Sequence, residues 1–186
     1  AWPCHCMQVN VMGELVIGIV FKMKLYLVAF GKLKAPGIRE TVDYYLRNTK
    51  AFTAIEEVEL KPLPVPDKSP STRALIQAKE AEILDDRLKK ILSARGVFFL
   101  FDEKGKAAIT LEWANQLRGF EENSIPEVAF CIGSSLGFAD SIKKKARGLF
   151  SLGPQTLSHE IARLVAVEQI YRALSVVRGH PYHHEG

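Results

Sequence analysis

Four short, nearly continuous apolar runs constrain this chain more than any other feature. They are "LYLVAF" (25–30), "VFFLF" (97–101), "VAFCI" (128–132) and "LFSL" (149–152). Aromatic and branched side chains at successive rather than alternate positions need cover on both faces. That pattern marks parallel strands buried between layers. The more polar "AIEEVEL" (54–60) predicts an edge strand with one face toward water.

Between these runs the apolar residues recur at helical spacing. In "PGIRETVDYYLRNT", Ile38, Val42, Tyr45 and Leu46 share a face, and Pro36 suits a first helical turn, where its missing donor costs nothing. Four prolines in 62–70 predict a stiff, irregular loop. The stretch "STRALIQAKEAEILDDRLKKIL" follows as a long amphipathic helix, with Leu75, Ala78, Ile83 and Leu88 toward one side. "LEWANQL" (111–117) reads as a helix with Thr110 as N-cap, and "FADSIKKKARG" (138–148) as a shorter one. Its run Lys143-Lys144-Lys145 reads either as a solvated face or as an RNA contact. The last helix runs from His159 to Gly179, with Ile161, Leu164, Val165 and Leu174 marking its apolar face. Gly179 ends it and Pro181 prevents continuation. Strands alternating with helices predict an α/β domain with a mostly parallel sheet and helices on both faces.

The 186 residues fit one domain with a substantial core. A net charge of +4 permits contact with an RNA backbone without requiring it. Cys4, Cys6 and Cys131 form an odd, sparse set, which argues against a disulfide framework and for a reducing compartment. Cys4-His5-Cys6 lacks a second ligand pair at useful spacing, so no metal is expected. "VMGELVIGIVF" is apolar but about half the length of a membrane span, and Glu14 interrupts it; no membrane association is expected. It has neither the basic start of a signal peptide nor the Arg/Ser richness of a transit peptide. "MKLYLVAFGK" reads as a natural start at Met23. Residues 1–22 are therefore taken as an extension of unassigned role, expected to be poorly ordered, and 23–186 as the domain.

Two loops follow strands, where α/β proteins hold ligands. In "IGSSLGF" (132–138), Gly133 and Gly137 let backbone amides approach a guest, though the same composition suits a plain strand-to-helix turn. The spacing is neither G-x-G-x-x-G nor a phosphate loop. In "SLGPQTLSH" (151–159), Gly153, Pro154 and two hydroxyls suit wrapping an adenine or ribose. Two such loops on adjacent strands can enclose one cofactor.

From Met23 onward the chain resembles the RlmH-type family of SPOUT-class methyltransferases, which modify pseudouridine in large-subunit ribosomal RNA. The resemblance is carried by "MKLYLVAFGK", "FLFDEKGK", "IGSSLGF", "SLGPQTLSH", "ARLVAVEQIYRA" and "GHPYHHE". It implies a SPOUT fold with a C-terminal trefoil knot, an exception among folds. It also implies S-adenosyl-L-methionine as cofactor, the assembled ribosome as partner, and a homodimer in which the last helices pack together and one tail approaches the other subunit's cofactor. The implied location is the bacterial cytoplasm, or a plant organelle if 1–22 belongs to a targeting segment.

Carried over by motif, the implied cofactor-binding residues are Phe101, Gly133, Leu152, Gly153, Pro154, Gln155, Thr156 and Leu157. Phe101 stands where the family usually has Leu. The implied catalytic tail is Tyr182, His183 and His184, thought to meet the target nucleotide. Three positions depart from the family pattern: Ser134 replaces a glycine, Ser158 a proline, and His184 a fully charged Arg or Lys. Ser134 puts a side chain where the family has bare backbone, which opens a second reading: a ribosome- or RNA-binding protein with a degenerate cofactor site and no catalysis. His183 can help remove the ring proton or simply hydrogen-bond the base or a phosphate; Tyr182 suits stacking better than proton transfer, its reference pKa being about 10. His159 and His180 read as structural, the latter as a tail anchor. Arg163, Arg172 and Arg178 can reach RNA phosphates or pair with Glu160 and Glu168.

Overall fold

The computed structural model describes residues 8–9, 15–16, 23–67 and 69–180. Its elements, in chain order, are β1 (Gln8–Val9), β2 (Leu15–Val16), β3 (Lys24–Phe30), α1 (Ile38–Thr49), β4 (Ala54–Leu60), α2 (Pro70–Ile91), β5 (Val97–Ala107), α3 (Thr110–Glu122), β6 (Glu127–Ile132), α4 (Asp140–Lys143), β7 (Gly148–Ser151) and α5 (His159–Val177). β1 and β2 pair antiparallel with each other. The other five strands form one sheet in the order β4-β3-β6-β5-β7, every neighbouring pair parallel. AIEEVEL lies at an edge, as its polarity predicts.

The continuous apolar runs are explained by the layers on either side. Leu25, Leu27 and Ala29 of β3 face a core shared with α1, α3 and α5, while Tyr26, Val28 and Phe30 face α2 and α4. A strand covered on both sides has no position at which a polar side chain reaches water. Burial of each large aliphatic side chain stabilises by roughly 1.5–3 kcal/mol, so the two cores dominate the fold's energetics.

Several local expectations shift. α2 buries Leu88 as expected, but turns Leu75 and Ala78 outward, leaves Ile83 half-buried, and buries Ile76, Glu80, Ala81 and Leu84 instead. Glu80 is the buried polar residue on that face, its carboxylate accepting from the Leu63 amide and the Ser134 hydroxyl. On α5, Ile161 is exposed and Leu164 and Val165 are half-buried, while Arg163 occupies the core-facing position. Pro36 lies in the turn before α1, whose N-cap is Gly37 at φ 78°. Thr110 is the first helical residue of α3 rather than its cap. Glu112 reaches back to accept the Ile109 amide at 3.0 Å, and the Thr110 hydroxyl bonds Gln169 Oε1 of α5 at 3.1 Å. The helix expected over 138–148 shortens to the single turn of α4.

The end of α5 follows its signals. Gly179 is left-handed at φ 63°, its amide donates to Val176 and that of His180 donates to Ser175, closing the last turn. His180 then packs edge-on against Phe52, which anchors the chain there.

β5 is longer than its apolar run. Its register against β7 jumps so that both Phe101 and Lys106 stand opposite Phe150, making residues 102–105 an excursion at the strand's carboxyl end. Gly105 is required there: a Cβ on it would lie 2.5 Å from the Phe150 carbonyl carbon and 2.8 Å from that of Leu149. Phe101, Trp113, Phe130 and Phe150 stack beneath this crossing, with Trp113 and Phe150 centroids 4.7 Å apart.

Candidate active site

Because the five strands are parallel, every loop that leaves a strand's carboxyl end lies on one edge of the sheet. A cavity of about 700 Å³ opens there, within the usual range for small-molecule sites. The loop after β6 gives one wall (Gly133 to Phe138), the loop after β7 another (Leu152 to Ser158), and the excursion of β5 a third (Phe101 to Lys104). His159 and Ala162 of α5 complete it.

Of the expected cofactor-binding residues, Phe101, Gly133, Leu152, Gly153, Gln155, Thr156 and Leu157 line this one cavity; Pro154 sits in the same loop without lining it. Gly153 holds φ at 133°, a conformation that favours glycine, and its carbonyl and amide both bond the Ser151 hydroxyl. A Cβ on Gly133 would lie 3.3 Å from the Phe138 ring, tight enough that the ring would have to give by a few tenths of an ångström. Tyr182, His183 and His184 lie outside the described residues.

Ser134 does not stand loose in the cavity. Its hydroxyl donates to Glu80 Oε2 at 2.6 Å and accepts from the Leu136 amide at 3.3 Å. Glu80 Oε1 accepts the Leu63 amide at 2.9 Å, so one buried carboxylate joins the glycine loop to the proline-rich segment. One helical turn before Glu80, Gln77 donates to the Leu136 carbonyl at 2.6 Å. The face of α2 thus fixes the loop after β6 from behind.

The cavity is not neutral. Asp102 and Lys143 pair at 2.6 Å on its wall. Burial pushes the Asp102 carboxyl up, but the Lys143 ammonium and the Lys104 amide outweigh it and hold the group below the ordinary carboxylate range. Lys145 pairs with Asp85 at 2.9 Å, so two of the three successive lysines make ion pairs within the chain and only Lys144 is left to the solvated face.

His159 packs over the turn that follows β3, where a Cβ on Gly31 would come within 2.9 Å of Nε2, and it also lines the cavity. Beside it, Glu160 accepts the amides of Ala35 and Lys34, both at 2.9 Å, which hold its carboxyl low. Arg163 is fully buried, bonding Glu57 at 3.1 Å, Glu59 at 2.7 Å and the Gly31 carbonyl at 2.6 Å. It reaches neither RNA nor Glu160 nor Glu168, because its guanidinium fastens α5 to β4. Arg172 does pair with Glu168, and Arg178 pairs with Glu121 rather than with either expected acid. Sequence reasoning missed Glu80, Asp102, Lys143 and Gly105. A carboxylate at an apolar-face position of α2 was the one available signal.

These walls suit S-adenosylmethionine. Phe101, Ile132, Leu152, Leu157 and Ala162 offer an apolar surface for a flat base, while Gln155, Thr156, Ser135 and the Asp102–Lys143 pair supply donors and acceptors for hydroxyls and a zwitterionic tail. Glycine at 133 and 153 keeps backbone groups accessible. Among the described residues, no group of three or more His, Cys, Asp or Glu side chains is placed to hold a metal ion. No helix among them is long and apolar enough to cross a membrane.

Comparison with known proteins agrees with this geometry. The family model described as "Predicted SPOUT methyltransferase" matches residues 23–183. The chain is 36% identical over 162 residues to the Ribosomal RNA large subunit methyltransferase H of Streptococcus equi subsp. zooepidemicus, covering 87% of this chain and 99% of that protein. Proteins of the same name from Natranaerobius thermophilus and Geobacter sulfurreducens are 31% and 30% identical, each across 87% of this chain and 100% of their own length.

Proposed function

Because the chain belongs to the SPOUT methyltransferase family, we propose that it transfers a methyl group from S-adenosyl-L-methionine to ring nitrogen 3 of a pseudouridine in large-subunit ribosomal RNA of the assembled ribosome. It does so as a homodimer, in the bacterial cytoplasm where that substrate is found. The observation that carries this reading is the convergence of the loops after β6 and β7, with the excursion of β5, on one cavity.

When bound, S-adenosylmethionine supplies a methyl carbon made electrophilic by its sulfonium. The chain's own residues align and exclude water, the main requirements of an in-line displacement. Phe101, Leu152 and Leu157 cover the apolar part; Gly133, Gly153, Gln155 and Thr156 present backbone and side-chain groups to the polar parts, and Pro154 stiffens the loop. The tail of the partner protomer brings Tyr182 to stack on the target base, and His184 to its phosphate. His183 either takes the proton that ring nitrogen 3 must lose or orients the base by a hydrogen bond. An imidazole suits the first role because it titrates near neutral pH. A C-terminal trefoil knot goes with this reading, as the SPOUT resemblance implies. Ser134, engaged with Glu80, lends no weight to a blocked, non-catalytic cofactor site.

Incubating the protein with S-adenosylmethionine and ribosomes that lack the modification, then digesting the RNA for mass spectrometry, tests this reading. A methylated pseudouridine should appear in the large-subunit RNA only when protein and cofactor are both present. No incorporation, or methylation of another nucleotide, would overturn it.

A further inference from the structure

In the last helix Arg163 is fully buried, and Arg172 and Arg178 are each held by a carboxylate of the same chain. Unpaired cations instead gather where the cavity opens. Lys32 and Lys34 follow β3, and Lys61 follows β4. These two strand ends adjoin, with the Gly31 amide donating to the Leu60 carbonyl at 2.9 Å. Arg73 stands one turn into α2 and lines both the main cavity and a smaller one of about 460 Å³, formed with Val65, Pro66, Asp67, Ser135 and Leu136. Lys104 lies in the excursion of β5, on the cavity wall. His159, packed on Gly31, joins the Lys32–Lys34 turn to that wall.

All five cations are exposed. Among the described residues, the four lysines make no salt bridge, and the contact of Arg73 is a long one, 3.4 Å to the Leu136 carbonyl. Of the acids at this end, Asp102 holds Lys143 and Glu59 holds Arg163, while Asp67 and Glu160 accept from neutral hydroxyl and amide donors and keep their charge. Glu40, Glu103 and Asp140 are the exposed acids left there. The five cations thus stand on flexible stems without ion pairs, the chemistry that contacts phosphates without reading sequence.

We infer that the carboxyl rim of the sheet, through Lys32, Lys34, Lys61, Arg73 and Lys104, is the surface that grips the RNA backbone around the target nucleotide. This rests on the ribosomal RNA reading above and adds where the RNA lies: across the strand ends, not along α5. Lys32, Lys34 and Lys61 lie outside the cavity lining, so they separate RNA contact from cofactor binding.

The test compares wild type, K32A/K34A/K61A and a control, K50A/K90A, whose lysines are exposed and sit at the opposite end of the sheet. Association with purified bacterial 70S ribosomes is measured across salt concentrations, together with affinity for S-adenosylhomocysteine and thermal melting. The triple variant should melt and bind S-adenosylhomocysteine as wild type does, yet bind ribosomes roughly tenfold or more weakly. Its log–log salt slope should fall by about 2, since each phosphate contact contributes about 0.7–0.9. The control should match wild type. Equal ribosome binding by the triple variant, or an equal loss in the control, would overturn the inference while leaving the methyltransferase reading intact. Failure of wild type to bind ribosomes would remove the RNA reading and this surface together.

Discussion

The Ser134 hydroxyl donates to Glu80 Oε2 at 2.6 Å, tying the glycine loop of the cavity to a carboxylate that is only 3% exposed. This bond makes Ser134 a contact with the helix behind the loop. E80A removes the acceptor of both the Leu63 amide and the Ser134 hydroxyl and should weaken S-adenosylmethionine binding about tenfold, or ~1.4 kcal/mol. E80Q should stay near wild type, because its amide oxygen accepts from Leu63 and its amide nitrogen donates to Ser134. Calorimetry on the two variants checks this; wild-type affinity in E80A would show that the contact is idle.

Arg163 is the largest fully buried side chain and carries a charge. R163A removes the bonds to Glu57, Glu59 and Gly31, but Glu57 keeps Arg39 at 2.7 Å. The expected loss is therefore at the lower end for a broken buried pair, about 3 kcal/mol. That corresponds to a fall in Tm of roughly 6–12 °C for a domain of this size. A shift under 2 °C on a thermal melt would count against the clamp.

Asp102 titrates below the ordinary carboxylate range in the folded protein, so the unfolded chain binds its proton more readily. The stability it contributes is complete above the unfolded value near 3.9 and is lost as pH falls through the lower folded value. D102N removes this term. Its unfolding free energy should fall less steeply than that of wild type as pH drops below about 4, as denaturant titrations at several pH values would reveal.

At Gly105 the obstruction is backbone, not a side chain that can swing away. G105A should cost about 1–3 kcal/mol through overpacking and disturb the pairing of Lys106 and Ala107 with β7. Hydrogen exchange at the β7 amides reports it. Unchanged protection would mean that the crossing is looser than described.

The layered α/β fold was legible because doubly covered strands leave an unambiguous mark: every residue of β3 after Lys24 is buried. The cavity's two glycine loops were legible because glycines follow the strands there, and Gly137 and Gly153 do adopt left-handed backbone. What escaped was long-range polar pairing. Glu80 bonds across 54 residues to Ser134, and Arg163 across 104 to Glu59. Nothing in the spacing of a charged residue on a helix announces which distant group will neutralise it. The faces of α2 and α5 were read only in part: Leu88 and Leu174 are buried as expected, whereas Leu75 and Ile161 are exposed and Glu80 and Arg163 are buried.

Titration of the purified protein with S-adenosyl-L-methionine, followed by calorimetry, bears most directly on the cavity's assignment. The account predicts one saturable site per chain, displaced by S-adenosylhomocysteine and lost when Gly153 is replaced by a β-branched residue. Heat that never saturates, or binding indifferent to that replacement, would contradict it.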